Sequence, residues 1–265
     1  MDAITWILAV FSFMFGAVFA SFAGVLAYRL PKKQSISKPG SHCPACRKEL
    51  SWYENLPIIA YLLQDGKCRN CKAPIGFFSF LLELSGGVFF LLTFLQFGAQ
   101  QTLPELILML ALIFLFLVMA AIDYESHNIY DITLILFALL SVGLVLCRIF
   151  LRGGEFWTHL AGAAIGFGFF GSVRLIAKWI LKREAMGSGD VYLAGIGGFL
   201  LGGFEILLAI IVATVSGSII ELLRIKYGKS SSEAEIAFAP YLLLGFATIA
   251  LYGNAIMYFY WEVLL

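Results

Sequence analysis

Two aspartates stand at the ends of long apolar runs: Asp123 in Ala120-Ala121-Ile122-Asp123-Tyr124, and Asp190 in Gly187-Ser188-Gly189-Asp190-Val191. A charge at a membrane edge is costly to keep there, which makes each a candidate for function. Two carboxylates sharing one site cannot both ionise cheaply. One keeps its proton and polarises a carbonyl while the other activates water, which is the chemistry of an aspartyl protease. Gly187 and Gly189, lacking Cβ atoms, let a substrate backbone come close and permit turns that other residues resist. Each acid also has an ordinary reading as a solvated interfacial residue, and Asp190 at the start of its run suits a helix N-cap. Asp131, a further acid in the turn after Asp123, is read first as the N-cap of the next segment and second as a supporting member of the site. His127 in the same turn is read as a loop residue.

A second constellation is Cys43-Pro44-Ala45-Cys46 with Cys68-Arg69-Asn70-Cys71, two Cys-x2-Cys pairs that could close on one tetrahedral metal. Two disulfides or four reduced thiols are the alternatives. Zinc is favoured because this loop is expected on the cytoplasmic face, where thiols stay reduced. Four thiolates leave no open coordination position, so Cys43, Cys46, Cys68 and Cys71 suit a structural metal that holds the loop folded. Cys147 lies inside an apolar run and is read as packing.

The elements that must position these residues are membrane helices. Hydrophobic residues make up 61% of the chain and charged residues 13%, about half the charged share of a soluble domain. The net charge of +1 gives no case for nucleic acid, and no phosphate-binding glycine loop appears. Apolar runs fall at 4–27, 77–97, 103–122, 132–151, 156–181, 191–202, 204–223 and 238–260, most near the ~20 residues a helix needs to cross a bilayer. The sixth is short and rich in glycine, so it is read as tilted or re-entrant. The first, with Asp2 and no basic segment before it, is read as a retained helix rather than a signal peptide. The expected fold is therefore all-α, a polytopic bundle of about eight transmembrane helices with a small cytoplasmic zinc-ribbon-like insertion. Its parts are a first helix (1–29), the four-cysteine loop (30–76) and a helical core (77–265). The loop is too small to bury a core of its own and needs its metal.

Orientation follows from Lys and Arg, which are retained on the cytoplasmic side. Of the 18 in the chain, all but Arg148 and Arg152 fall on one face. That face carries the cysteine loop, the turn from Asp123 to Asp131 and the turn from Met186 to Asp190. Within the apolar runs, Glu221 is spaced to pair with Arg224, His159 is read as interfacial, and Glu83 and Arg174 are intramembrane charges.

Gly187-Ser188-Gly189-Asp190 resembles the Gly-x-Gly-Asp signature of the intramembrane aspartyl proteases. The order of motifs narrows the likeness: a first helix with Gly16, Ser21 and Phe22 ending in Arg29-Leu30-Pro31, then the cysteine pairs, then an acid-bearing turn, then Gly-x-Gly-Asp. In this order the chain resembles bacterial type IV prepilin peptidases. The segment Leu50-Ser51-Trp52-Tyr53-Glu54-Asn55-Leu56-Pro57 and Glu83 also match. The resemblance implies a peptidase of the inner membrane that removes the basic leader of prepilins or pseudopilins at the cytoplasmic face, with Asp123 and Asp190 in the catalytic positions. It also implies N-methylation of the new amino terminus from S-adenosylmethionine, for which no residues stand out. Departures are Ile129-Tyr130-Asp131 where the family has Ile-Pro-Asp, Ala20-Ser21-Phe22-Ala23-Gly24 without the family's glycine and asparagine, and Ala237-Phe238-Ala239-Pro240-Tyr241 with alanines for proline and glycine. Two competing functions are a transporter using both acids as ion relays, and a non-catalytic assembly protein. The substrate, the oligomeric state and the residues for methylation are left open by the sequence.

Overall fold

A computed structural model of the chain describes residues 2–98, 103–182, 187–227 and 237–263. Of the residues that set the orientation, Arg183, Met186 and Lys229 lie outside them. The described residues form helices and irregular loops, without strands, and all eight expected apolar runs form helices: α1 (Ala3–Arg29), a short α2 (Ile59–Leu63) inside the cysteine loop, then α3 (Phe77–Phe97), α4 (Leu103–Ser126), α5 (Asp131–Arg152), α6 (Phe156–Leu181), α7 (Ser188–Leu201), α8 (Glu205–Lys226) and α9 (Ala239–Val263). α1, α3, α4, α5, α6 and α8 are long and apolar enough to cross a membrane, so the chain is a multi-pass membrane protein. The Gly-rich sixth run is an unbroken helix of 14 residues, about 21 Å long.

Two compact units divide the chain: residues 1–106 with 113–126, and residues 107–112 with 127–265. In the first, α1 packs on α3 through small residues. Asp2 caps α1 by accepting from the Thr5 N–H at 3.0 Å. Along the helix, Ala9, Gly16, Ala20, Ala23 and Ala27 are buried, close to a heptad stripe. A Cβ on Gly16 would lie 2.3 Å from the carbonyl oxygen of Gly86, and one on Gly86 would lie 2.4 Å from the Cβ of Ala20. With lipid as apolar as leucine, close backbone packing of this kind is what holds membrane helices together.

In the second unit α7 packs against α5, α6, α8 and α9. A helix too short to span is well placed among helices that do, since its polar ends then meet protein rather than lipid. Gly162 of α6 and Gly198 of α7 face each other, and Gly166 faces the carbonyl of Ala194. His159, read as interfacial, lies near the start of α6, half-buried with Nδ1 2.8 Å from the carbonyl oxygen of Phe199. That carbonyl belongs to the last turn of α7, where helices lack internal donors. The expected Glu221–Arg224 pair forms at 2.8 Å, and the Tyr241 hydroxyl also donates to Glu221 at 2.7 Å.

Candidate active site and metal centre

In the first unit α4 continues through Tyr124 and Glu125 to Ser126, so Asp123 lies inside the last turn rather than at the helix end. Hydropathy falls at Asp123 but the helical ladder does not, and the Ser126 hydroxyl bonds back to the carbonyl of Ile122 at 2.8 Å. The helix stops where His127 turns to φ 50°. Asp123 is buried, 5% exposed. Beside it Tyr124 lies flat on Phe78 of α3, ring centroids 3.7 Å apart and planes 5° apart, which fixes the register of α4 against α3.

Glu83 of α3 joins three segments of the same unit. Its Oε2 accepts the backbone N–H of Ile58 at 2.7 Å, and the Ser21 hydroxyl of α1 bonds to it as well. Arg29, at the end of α1, is buried and donates to four carbonyls of the chain that follows: Ser35 and Ile36 at 3.0 Å, Pro39 at 2.8 Å and Gly40 at 3.4 Å. A planar five-donor guanidinium suits such a cluster of acceptors. Both ties were missed from sequence, where Arg29 served as a charge to orient and as part of a motif, and Glu83 as an intramembrane charge that matches the family.

In the second unit Gly187, in extended backbone at φ −63° and ψ 148°, is the N-cap of α7, and Asp190 is the third residue of the helix. Asp190 is thus in the first turn and not the cap. The first-turn N–H groups have no partners within the helix and carry the positive end of its dipole, a setting that favours a carboxylate. A Cβ on Gly187 would lie 3.6 Å from Asp190 Oδ2, and one on Gly189 would lie 3.0 Å from the Cβ of Ile129. The bare Gly189 therefore lets the turn before α5 close on the Gly-x-Gly-Asp segment. Asp131 is not a cap either. The N-cap is Tyr130, whose carbonyl accepts from the Thr133 N–H at 2.9 Å and hydroxyl at 2.7 Å, and Asp131 is the exposed first residue of α5. Tyr130 has φ −83° and ψ 137°, within reach of the backbone that proline imposes, so the turn keeps its shape without the family's proline. Gly187, Gly189, Asp190 and Asp131 belong to this second unit and Asp123 to the first. A cavity of about 350 Å³ lined by Gly171, Arg174, Leu175, Lys178 and Val191 adjoins the first turn of α7.

The four cysteines meet. Their sulfur atoms all lie within 4.8 Å of one another, and Cys43 Sγ is 3.8 Å from Cys71 Sγ. For four thiolates about 2.3 Å from a central zinc, the tetrahedral edge is about 3.8 Å. Backbone donors prepare two of the sulfurs as ligands: the Lys48 N–H, helped by the Asn70 side chain, holds the Cys46 thiol down at about 6, and the Cys71 and Asn70 N–H groups lower Cys68. Cys71 goes the other way, to about 11, because the Ala73 N–H that lowers it is outweighed by desolvation and the neighbouring cysteine side chains. Both pairs are built on one plan. Cys43 N–H bonds to Lys48 O and Cys68 N–H to Ala73 O; Arg47 N–H bonds to Cys43 O and Lys72 N–H to Cys68 O; Leu50 N–H bonds to Ser41 O and Ile75 N–H to Gly66 O. Bridges His42–Glu49 and Lys67–Pro74 close the two turns, and Arg47 and Lys72 take positive φ, 57° and 60°. Every member of the first set maps onto the second at one constant offset, a duplication legible in Ser41-His42-Cys43-Pro44-Ala45-Cys46-Arg47 and Gly66-Lys67-Cys68-Arg69-Asn70-Cys71-Lys72. These residues could hold a zinc ion with a closed shell.

Residues 14–97 match the family described as the bacterial peptidase A24 N-terminal domain, and residues 109–222 match the Type IV leader peptidase family. Among similar proteins, a prepilin leader peptidase/N-methyltransferase of Myxococcus xanthus is 34% identical over 218 residues, which are 82% of this chain and 63% of the relative. One of Bacillus subtilis is 29% identical over 248 residues, 94% of this chain and 96% of the relative. A third, of Stutzerimonas stutzeri, is 32% identical over 219 residues, 82% and 73% of the two chains. No solved structure matches.

Proposed function

The chain belongs to the Type IV leader peptidase family, and we propose on that ground that it is an endopeptidase removing the leader of prepilins or pseudopilins. Asp123 and Asp190 are the catalytic pair: one carboxylate takes a proton from the attacking water while the other, protonated, polarises the scissile carbonyl. Gly187 leaves the approach to Asp190 open to the substrate backbone, Gly189 lets Ile129 seat against the first turn of α7, and Asp131 supports the turn that closes there. The observation that carries the reading is the Gly-x-Gly-Asp turn opening α7 with Ile129 seated on its bare glycine, inside the residues that match the family.

The four-cysteine loop, residues 30–76, is a cytoplasmic module stapled by zinc at Cys43, Cys46, Cys68 and Cys71. A closed thiolate shell gives the metal a structural role and no part in hydrolysis. The placement of Lys and Arg supports an inner-membrane protein with the loop and both acids on the cytoplasmic side. N-methylation of the new amino terminus from S-adenosylmethionine is the second activity, carried by the names of the relatives and by no particular residue.

The test uses the full chain, purified in detergent and mixed with a substrate bearing a basic leader before a hydrophobic segment. A leader-shortened product is expected from the parent and from neither Asp123→Asn nor Asp190→Asn. Full cleavage by either variant refutes the pair.

A further inference from the structure

The metal clamp and the two acids leave one surface of the cysteine loop unused. α2 places Ile59, Leu62 and Leu63 at positions i, i+3 and i+4, hence on one face, and that face is 52%, 58% and 70% exposed at the three residues. The opposite face holds the helix down. Ala60 is buried, and Tyr61 stacks on Phe80 with ring centroids 4.9 Å apart and meets Phe77 at 6.4 Å. Just ahead of α2, the Ile58 N–H is the one bound by Glu83.

Phe77, Phe80 and Glu83 all belong to the first two turns of α3, whose 21 residues reach about 31 Å and so little more than match the ~30 Å of hydrocarbon. Glu83 lies about 9 Å along that helix. A segment bonded to it is held at the boundary of the bilayer and not out in water. Backbone at that level needs acceptors from protein, and it has them: Ile58 N–H goes to Glu83, Ala60 N–H to Leu56 O and Leu62 N–H to Ile58 O. Phe77 and Leu81 near the start of α3 are exposed as well. Residues 30–76 also carry eight Lys and Arg against three Asp and Glu, the balance that suits anionic headgroups.

We propose that α2 is an interfacial foot, which seats Ile59, Leu62 and Leu63 among the acyl chains of an anionic leaflet and so fixes the cysteine loop against the membrane. This goes beyond the peptidase reading and stands whether or not the chain cleaves prepilin.

The experiment places a tryptophan in the foot, Leu63→Trp, in the full chain reconstituted into phosphatidylglycerol nanodiscs, and subtracts the emission of the parent. With brominated acyl chains the added emission should fall roughly twofold or more relative to plain lipid, as for a residue buried in the headgroup and acyl boundary. Exchange to phosphatidylcholine should weaken the quenching. Should Leu63→Trp lose the metal and misfold, Leu62→Trp gives the same readout. Equal emission in brominated and plain lipid overturns the proposal, because water, a second copy of the chain or a bound substrate would then cover this face. Equal quenching in both lipids overturns its anionic part.

Discussion

Gly198→Ala tests whether the backbone contact between α6 and α7 sets the position of Asp190. The added Cβ would lie 2.1 Å from the carbonyl oxygen of Gly162, where an ordinary contact begins at 3.4 Å, so the two helices must part locally by about 1.3 Å. Neither partner is a flexible side chain, and forced overpacking of this kind costs about 1–3 kcal/mol. Asp190 lies about 12 Å along the same helix, and a helix moves nearly as a rigid rod over that span. Misplacing a reacting group by about 1 Å costs on the order of 10²-fold in rate. The expected result is a lower unfolding temperature in detergent and a single-turnover cleavage rate down tenfold to a hundredfold, by order of magnitude. Gly168→Ala on α6 is the control, because a Cβ there meets nothing within 4 Å; it should be neutral or stabilising by up to about 1 kcal/mol. If Gly198→Ala melts and cleaves like the parent, the close approach does not hold α7. If it melts early yet cleaves at full rate, the position of α7 is not transmitted to Asp190.

Arg29→Lys keeps the charge but cannot reach four carbonyls, and with about 1.5–3 kcal/mol at stake in each bond to a charged group, protease nicking between residues 30 and 42 should rise while helix content by circular dichroism holds. Glu83→Ala removes the acceptor of Ile58 N–H and of the Ser21 hydroxyl; hydrogen exchange over residues 57–64 should quicken by an order of magnitude or more, about 1–3 kcal/mol for an orphaned donor, with Glu83→Gln between it and the parent. A brief exposure to chelator should leave leader cleavage unchanged, while prolonged chelation releases the metal and loosens residues 41–75 to exchange; rapid loss of cleavage without unfolding would make the metal catalytic. His159→Ala orphans the Phe199 carbonyl and should lower the unfolding free energy by about 1–2 kcal/mol, read as a lower melting temperature, with Gln partly restoring it.

The helices were legible because a bilayer imposes one length and one polarity on whatever crosses it, and all eight runs appear as helices within a few residues of the expected ends. Hydropathy marks where lipid ends, not where the hydrogen-bonded ladder ends, which is why α4 runs past Asp123 to Ser126 and why neither Asp131 nor Asp190 is a cap. The ordinary explanations offered for those two acids are thereby weakened. The two departures nearest the site also have physical answers. Tyr130 adopts a backbone close to that of the family's proline, and Ala20, standing where the family has glycine, faces the bare Gly86. What the sequence could not disclose were the ties between segments far apart in the chain, since Arg29 reaching four carbonyls and Glu83 reaching Ile58 depend on where the loop folds back.

Those ties explain how a loop with no adequate core stays in place. Residues 30–76 leave α1 under the grip of Arg29 on Ser35, Ile36, Pro39 and Gly40, are pinched in the middle by four cysteines, and are pinned beside α3 by Glu83. The Arg29 bonds span separations of 6 to 11 residues, the Cys43–Cys71 contact 28 and the Glu83 bond 25, and closure entropy grows only with the logarithm of loop length. The segment is thus ordered by three closures of modest cost, none of which needs a hydrophobic core. A loop held this way can keep an apolar helix face such as that of α2 at a fixed height above α3, which loose tethering at its two ends alone would not achieve.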